Sequence, residues 1–421
     1  VFGGSKTDVL VVGAGPTGLL AALRLAEQGI AVEIIEEEWR SAGHSYALAL
    51  HPRSLLLLDE VGLATEAVAQ GQRLERIVVF EGGEPRATLR PAAATAPFPF
   101  LLALPQSALE RLLTRRLEEK GVKVRWSHRL FRLEPGDDRV TASVHRLEKQ
   151  STGYAVARTE WAIDKELTFE AGFVVGADGH RSLVRRALGA SFGEAGPSQA
   201  FAVFECDGRA APRDEMRLVL DDEAVSVLWP LPDGRARWSL EVDASDVSSE
   251  DRFKSRLTTM LGERFFPHLE EGRIRELLRE RAPWFAPGAG ELGWSVEVRF
   301  ERRLAGSFGR DRIWLVGDAA HLAAPAGMQS MNAGLREGSD LASRITRVQR
   351  GKDDLDLLEE YGRERLAEWR FLLGQAGGLR AGGAASPFVA RNAGRLLGCL
   401  PATGEDVQGL ALQIGLEVER A

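Results

Sequence analysis

Three stretches of this 421-residue sequence end an apolar run on glycine, or on a carboxylate beside glycine. The first is Asp8-Val9-Leu10-Val11-Val12, followed at once by Gly13-Ala14-Gly15-Pro16-Thr17-Gly18. The second is Phe173-Val174-Val175-Gly176, followed by Ala177-Asp178-Gly179. The third is Ile313-Trp314-Leu315-Val316, followed by Gly317-Asp318 and a run of small residues through Pro325, Ala326 and Gly327. Short side chains let main-chain N–H groups approach a polar ligand, and a helix start behind them favours electron-rich atoms. In the first stretch Gly13 permits a tight turn, Gly15 lets the backbone reach a pyrophosphate, and Gly18 lets helix and strand pack closely. A second strand candidate, Ile30 to Ile35, ends on Glu36, eighteen positions after Gly18. A carboxylate there accepts from a ribose 2′-OH. Strand, glycine turn, helix and acid together predict a bound dinucleotide. The acid disfavours a 2′-phosphate, so the expected ligand at this turn is FAD or NAD rather than NADP.

The elements that must position these groups follow from hydrophobic periodicity. Leu19 to Ala26 reads as a helix closed by Gly29. His51-Pro52-Arg53 opens another helix, with Pro52 at its start and Ser54 able to cap it; Arg53 fits either a phosphate contact or a solvated surface charge. Pro105-Gln106 precedes an amphipathic helix over Ser107–Glu119, with Leu109, Leu112, Leu113 and Leu117 on one face. Short strands through Phe169 predict an antiparallel meander. After Asp178-Gly179, Ser182 is a cap candidate and His180, Arg181, Arg185 and Arg186 form a basic cluster. Such a cluster is either a solvated face or a phosphate site at the carboxyl end of a buried strand.

From Gln199 to about Phe300 the pattern is mostly β, interrupted by a helix over Ser249–Leu261 and a helical stretch over Phe265–Arg281. Trp229, Trp238, Trp284 and Trp294 fall here. Singly each reads as a core residue; as a group they fit a flat apolar ligand pocket on a sheet face. From Asn332 the pattern is helical, and Leu355 to Leu373 forms a further helix.

A net charge of −7 and a pI near 5.7 give no electrostatic reason to expect nucleic acid or an anionic membrane as partner. Two cysteines, Cys206 and Cys399, form no disulfide framework and no CxxC pair, and the seven histidines include no metal-site spacing. No apolar run approaches the roughly 18 residues of a membrane helix, and Val1 to Thr7 lacks the features of a signal peptide. A cytoplasmic protein without metal is the expectation.

Together these residues resemble the single-component FAD-dependent aromatic hydroxylases of the p-hydroxybenzoate hydroxylase fold. The resemblance runs from Asp8 to about Arg365 through the three stretches above, with His321, Asn332 and Gly334 in the third. Weaker echoes are Pro105-Gln106, Pro230-Leu231-Pro232-Asp233-Gly234 and Arg281-Ala282-Pro283-Trp284. It implies an α/β protein: a Rossmann-like FAD-binding domain with an inserted, mainly antiparallel β substrate domain and C-terminal helices. The expected division is FAD-binding over 1–75, 105–195 and 301–350, substrate-binding over 76–104 and 196–300, and a C-terminal helical region over 351–421.

The resemblance also implies site roles. Gly13, Gly15, Pro16, Thr17 and Gly18 would cradle the FAD pyrophosphate, and Glu36, with Glu37 beside it, would hold the adenosine ribose. Arg53 and Gln106 match positions that contact the flavin nucleotide. Gly317 and Asp318 would bind the ribityl or pyrophosphate part. Pro325, Gly327, Met328, Gln329, Ser330, Met331 and Asn332 would border the isoalloxazine ring, and Asp178-Gly179 would serve both FAD and NAD(P)H. Tyr46, Trp229, Pro325 and Ala326 are candidates for substrate contact. Relatives usually carry arginine where this chain has Tyr46, and many read Gly-Gln-Gly-Met-Asn where it reads Met328-Gln329-Ser330-Met331-Asn332.

The implied activity is hydroxylation of a phenolic or polycyclic aromatic with NADH or NADPH and O2, through a flavin C4a-hydroperoxide, by a monomer or homodimer. No catalytic base is identified: His321 reads as support for its loop. An epoxidase, a Baeyer–Villiger-type or antibiotic-inactivating oxygenase, or a flavin reductase on the same fold remains open; a non-catalytic nucleotide sensor is the reading from another class, and the loop from Gly317 to Asn332 argues against it.

Overall fold

The structure is a computed structural model that describes residues 5–39, 48–152, 158–209, 211–221, 224–242, 271–285, 290 and 292–420. Tyr46 and the helix expected over Ser249–Leu261 lie outside these residues.

The strand Ser5–Val12 runs through the middle of an eight-stranded sheet. Val9, Leu10 and Val11 are fully buried in it, as expected of a strand covered on both faces. It pairs in parallel with Val32–Ile35 on one side and with the end of the long strand Arg158–Gly176 on the other. Ile313–Leu315 continues the sheet in parallel beyond that strand. The register sets Val12 opposite both Ile35 and Gly176, and Gly176 opposite Leu315. All three glycine or carboxylate stretches therefore leave the sheet side by side at one carboxyl edge, where open α/β sheets bind ligands. His128–Pro135 and Val140–Thr152 add the expected antiparallel meander to the same sheet.

A second eight-stranded sheet is antiparallel apart from one pair, Glu215–Leu220 with Arg76–Glu81. Its strand Leu292–Ala305 pairs with His321–Leu322, which ties it to the third strand-end loop. Successive residues of Val225–Pro230 alternate between two cores: Val227 and Trp229 face the main one, while Leu228 faces a second core with Trp238 and Phe285 under the helix Glu271–Arg281. The period of two along a strand thus separates Trp229 from Trp238, correcting the grouping of the tryptophans into one ligand pocket. Both indoles are fully buried. The side chain of Trp294 is outside the described features.

The helix Pro16–Glu27 packs along the helix Gln329–Gln349 through small residues. A Cβ at Gly334 would sit 2.6 Å from Thr17 Oγ1, and one at Gly338 would sit 2.9 Å from the Thr17 carbonyl. The C-terminal region holds helices Asp356–Leu372, Pro387–Cys399 and Asp406–Gln413, plus a strand pair not anticipated from sequence, Gly378–Ala381 with Leu416–Glu419. No helix is long and apolar enough to cross a membrane among the described residues.

Candidate cofactor cleft

The three strand-end loops open onto a cleft of about 710 Å³, within the ~300–1,000 Å³ range usual for small-molecule sites. Gly15, Pro16 and Thr17 line it together with Asp318, Pro325, Met328, Ser330 and Met331, and Gln106 and Gly179 complete the lining. Two helix N-termini face this space. Neither the Pro16–Glu27 helix nor the Gln329–Gln349 helix has a side-chain cap or an acidic residue in its first turn. Their leading N–H groups and aligned peptide dipoles favour an anion there.

Neighbouring glycines do different work. Gly13 adopts φ +102°, and a Cβ on it would lie 2.2 Å from the Ala177 carbonyl, so it holds the first loop against the second. A Cβ on Gly15 would meet nothing within 4 Å. Gly18 packs on the Gly13 carbonyl.

The carboxylates divide similarly. Asp178 does not offer its side chain to the cleft: Oδ1 accepts from Ser182 Oγ at 2.5 Å, and Oδ2 accepts the N–H groups of Leu183 and Val184 at 2.7 and 3.1 Å. It organises the start of the short helix Leu183–Ala187, where Ser182 is the cap, and burial raises its carboxyl above the ordinary value. Glu36 accepts the Ala14 N–H at 2.7 Å and the Glu38 N–H at 2.9 Å, bracing the glycine turn from beneath; burial raises its carboxyl too. Glu37 is exposed and 3.7 Å from Arg129. Asp318, by contrast, lies on the cleft wall with Oδ1 accepting from Ser330 Oγ at 2.7 Å.

Arg53 does not line this cleft; its Nε is 3.2 Å from Asp406 of the C-terminal helix. Gln329 turns away as well, donating to the Leu397 and Leu400 carbonyls. Trp229 is sealed in the core. Asn332 is fully buried and joins distant segments: its Oδ1 accepts from His51 N–H and Ser54 Oγ, and its Nδ2 donates to the Ala49 and Met328 carbonyls. His51 Nε2 is 3.0 Å from the Gly327 carbonyl, and burial lowers the imidazole to about 3. Arg185 ties the second loop to the third by donating to the His180 and Ala319 carbonyls at 2.9 and 2.7 Å.

His180, Arg181 and Arg299 line the same cleft and make part of its rim basic. The first two lie in the cluster visible from sequence. Arg299 had no signal, because only the pairing of Leu292–Ala305 brings it there. The loop Ala323–Ala326 also borders a separate cavity of about 220 Å³, with Phe201, Val225 and Leu372 on its apolar side and Gln199, Glu241 and Arg395 as polar groups.

A sequence profile described as "FAD binding domain" matches residues 6–373 of this chain. The chain belongs to the FAD-binding domain family. It is similar to 6-methylpretetramide 4-monooxygenase of Streptomyces rimosus, with 30% identity over 365 residues, covering 85% of this chain and 59% of the relative. It is also similar to rifampicin monooxygenase of Rhodococcus hoagii, with 26% identity over 368 residues, covering 85% of this chain and 68% of that one. The chain thus spans about three fifths to two thirds of these relatives' length. In fold it resembles the crystal structure of p-nitrophenol 4-monooxygenase from Pseudomonas putida DLL-E4, with a TM-score of 0.71 and 24% identity over 87% of this chain and 86% of that one.

The cleft residues fit FAD on physical grounds. The space beside Gly15 is free to the side a Cβ would fill, the two uncapped N-termini suit a pyrophosphate, and Asp318 offers an acceptor where a polyol hydroxyl needs one.

Proposed function

We propose that this chain is an FAD-dependent monooxygenase that uses NAD(P)H and O2 to hydroxylate an aromatic small molecule. The observation that carries the reading is the convergence of three strand ends on one cleft, with the loop Ala323–Ala326 shared between that cleft and a second, smaller cavity of mixed polar and apolar lining. A cofactor with a long polar body and a reactive ring uses both features: the body lies along the loops and the ring reaches the shared loop.

Bound FAD would supply the redox chemistry, accepting hydride and activating O2. The protein's part is to bind, orient and exclude water. The N–H groups of Gly15, Thr17 and Gly18 would hold the pyrophosphate, Glu36, already bound to the Ala14 and Glu38 N–H groups, would accept from the adenosine ribose through a remaining lone pair, and Gln106 would contact the nucleotide. Asp318 would accept from a ribityl hydroxyl, and the backbone from Pro325 to Met331 would border the flavin ring. The basic rim of His180, Arg181 and Arg299 attracts the phosphates of the nicotinamide coenzyme. The aromatic substrate occupies the cavity bordered by Ala323, Ala324 and Ala326, lined by Phe201 and by the hydrogen-bonded pair Gln199 and Glu241. In domain terms, 1–75, 105–195 and 301–350 bind FAD, 76–104 and 196–300 bind substrate, and 351–421 closes the cavity through the helix Pro387–Cys399.

The test is to purify the chain, record its flavin spectrum, and follow NAD(P)H oxidation and O2 uptake with a panel of phenols and polycyclic aromatics. A yellow protein whose product gains one oxygen atom supports the reading. A protein that cannot be loaded with FAD overturns it, and NAD(P)H oxidation without oxygen incorporation makes it a reductase.

A further inference from the structure

The Asp318 side of the cleft is linked to the protein core by a chain of side chains. Asp318 Oδ1 accepts from Ser330 Oγ at 2.7 Å, and Ser330 Oγ lies 3.4 Å from His321 Nδ1. On its other side His321 Nε2 is 2.9 Å from Glu337 Oε2, which also accepts the Gly317 N–H at 2.8 Å. Glu337 Oε1 accepts from Trp369 Nε1 at 2.7 Å, and the Trp369 indole stacks on the His321 ring with centroids 3.7 Å apart. His321 and Glu337 are 0% and 1% exposed. Burial opposes ionisation of Glu337, but the adjacent His321 and the Gly317 and Trp369 donors pull its carboxyl below the ordinary value.

Donor counting fixes the direction of the chain. A carboxylate only accepts, so the single hydroxyl hydrogen of Ser330 goes to Asp318, and the imidazole gives its Nε2 hydrogen to Glu337. Ser330 then turns a lone pair towards His321 Nδ1, 3.4 Å away. Asp318 Oδ1 is thereby taken, whereas no protein donor among the described residues reaches Oδ2. A carboxylate held in one orientation with one open oxygen selects a hydroxyl donor over a phosphate, which it repels.

We propose that Ser330 and His321 are positioning residues that aim Asp318 at the polyol segment of the cofactor, with Glu337 as the buried anchor. The proposal rests on the FAD reading above and deepens it. It also accounts for the buried pair His321 and Glu337, which no step of the proposed reaction uses.

The test compares two ligands on the apoprotein: FAD, which spans the whole cleft, and ADP, which has no polyol segment to reach Asp318. For Ser330→Ala the FAD dissociation constant should rise about tenfold, the worth of one charge-assisted hydrogen bond. ADP affinity should stay unchanged, and Ser330→Thr should restore FAD affinity. In an Asp318→Ala background, Ser330→Ala should add no further loss. Equal weakening of FAD and ADP would mean that Ser330 merely supports the loop, and FAD binding by Ser330→Ala equal to wild type would overturn the proposal directly. Wild-type protein that binds ADP but not FAD would instead remove the cofactor reading, and this proposal with it.

Discussion

His51 donates its backbone N–H to Asn332 Oδ1 at 2.8 Å, across 281 positions of sequence. That bond, with the 2.7 Å contact from Ser54 to the same oxygen, fastens the start of the helix Pro52–Glu60 to the helix that begins beside the cleft. One amide side chain therefore holds the Met328–Met331 wall in place.

Replacing Asn332 with alanine should destabilise the protein by about 3 kcal/mol or more. It leaves the His51 N–H and the Ala49 and Met328 carbonyls without their partner in a dry interior. Asn332→Asp should be at least as harmful, since it removes both donors and buries a charge. Chemical denaturation of the apoprotein reads both effects.

His51 makes the fold acid-sensitive. Burial lowers its folded-state value to about 3 from 6.5. Below pH 6.5 the unfolded chain binds a proton that the folded chain does not, so this contribution is complete above pH 6.5 and declines towards pH 3, by about 1.4 kcal/mol per pH unit. Unfolding curves measured between these limits should lose that slope in His51→Gln, which keeps a donor for the Gly327 carbonyl and does not titrate.

Gly13 and Gly15 lie two positions apart and should respond oppositely to alanine. Gly13→Ala drives a Cβ to 2.2 Å from the Ala177 carbonyl at φ +102° and should cost several kcal/mol of folding stability, on the order of a severe core lesion. Gly15→Ala meets no protein atom within 4 Å, so the apoprotein should keep its stability while FAD affinity falls at least tenfold. Thermal melting of the apoprotein and FAD titration separate the two.

Met328 holds φ +50° and ψ 32° at the start of the Gln329–Gln349 helix, a left-handed conformation unfavourable for a residue with a Cβ. Glycine is about 1 kcal/mol worse than alanine within a helix. Here the order should reverse, with Met328→Gly more stable than Met328→Ala by about 1 kcal/mol. Equal denaturation midpoints for the two variants would contradict this.

Arg53→Ala should change FAD affinity little. Its guanidinium pairs with Asp406 on the surface, and such exposed pairs contribute about 0–1 kcal/mol. A loss of FAD binding in this variant would put Arg53 back among the cofactor contacts.

The sequence by itself determined the local elements of the site. Gly13 to Gly18 between an apolar strand and a helix, and the small residues after Asp318, are short-range patterns that backbone geometry alone makes legible. So were the Ser182 cap and the meander after Val122, because turn and cap chemistry acts over a few residues. Tertiary structure decided which side chains face the ligand. Asp178 and Asp318 both follow a buried strand beside glycine, yet one accepts the first N–H groups of the helix that Ser182 caps and the other lines the cleft. Trp229 and Trp238 differ only in the face that strand register assigns them. Arg299 enters the cleft and His321 meets Glu337 through pairings whose partners are distant in sequence. These choices depend on sheet register and helix packing, set by the whole core rather than by neighbouring residues.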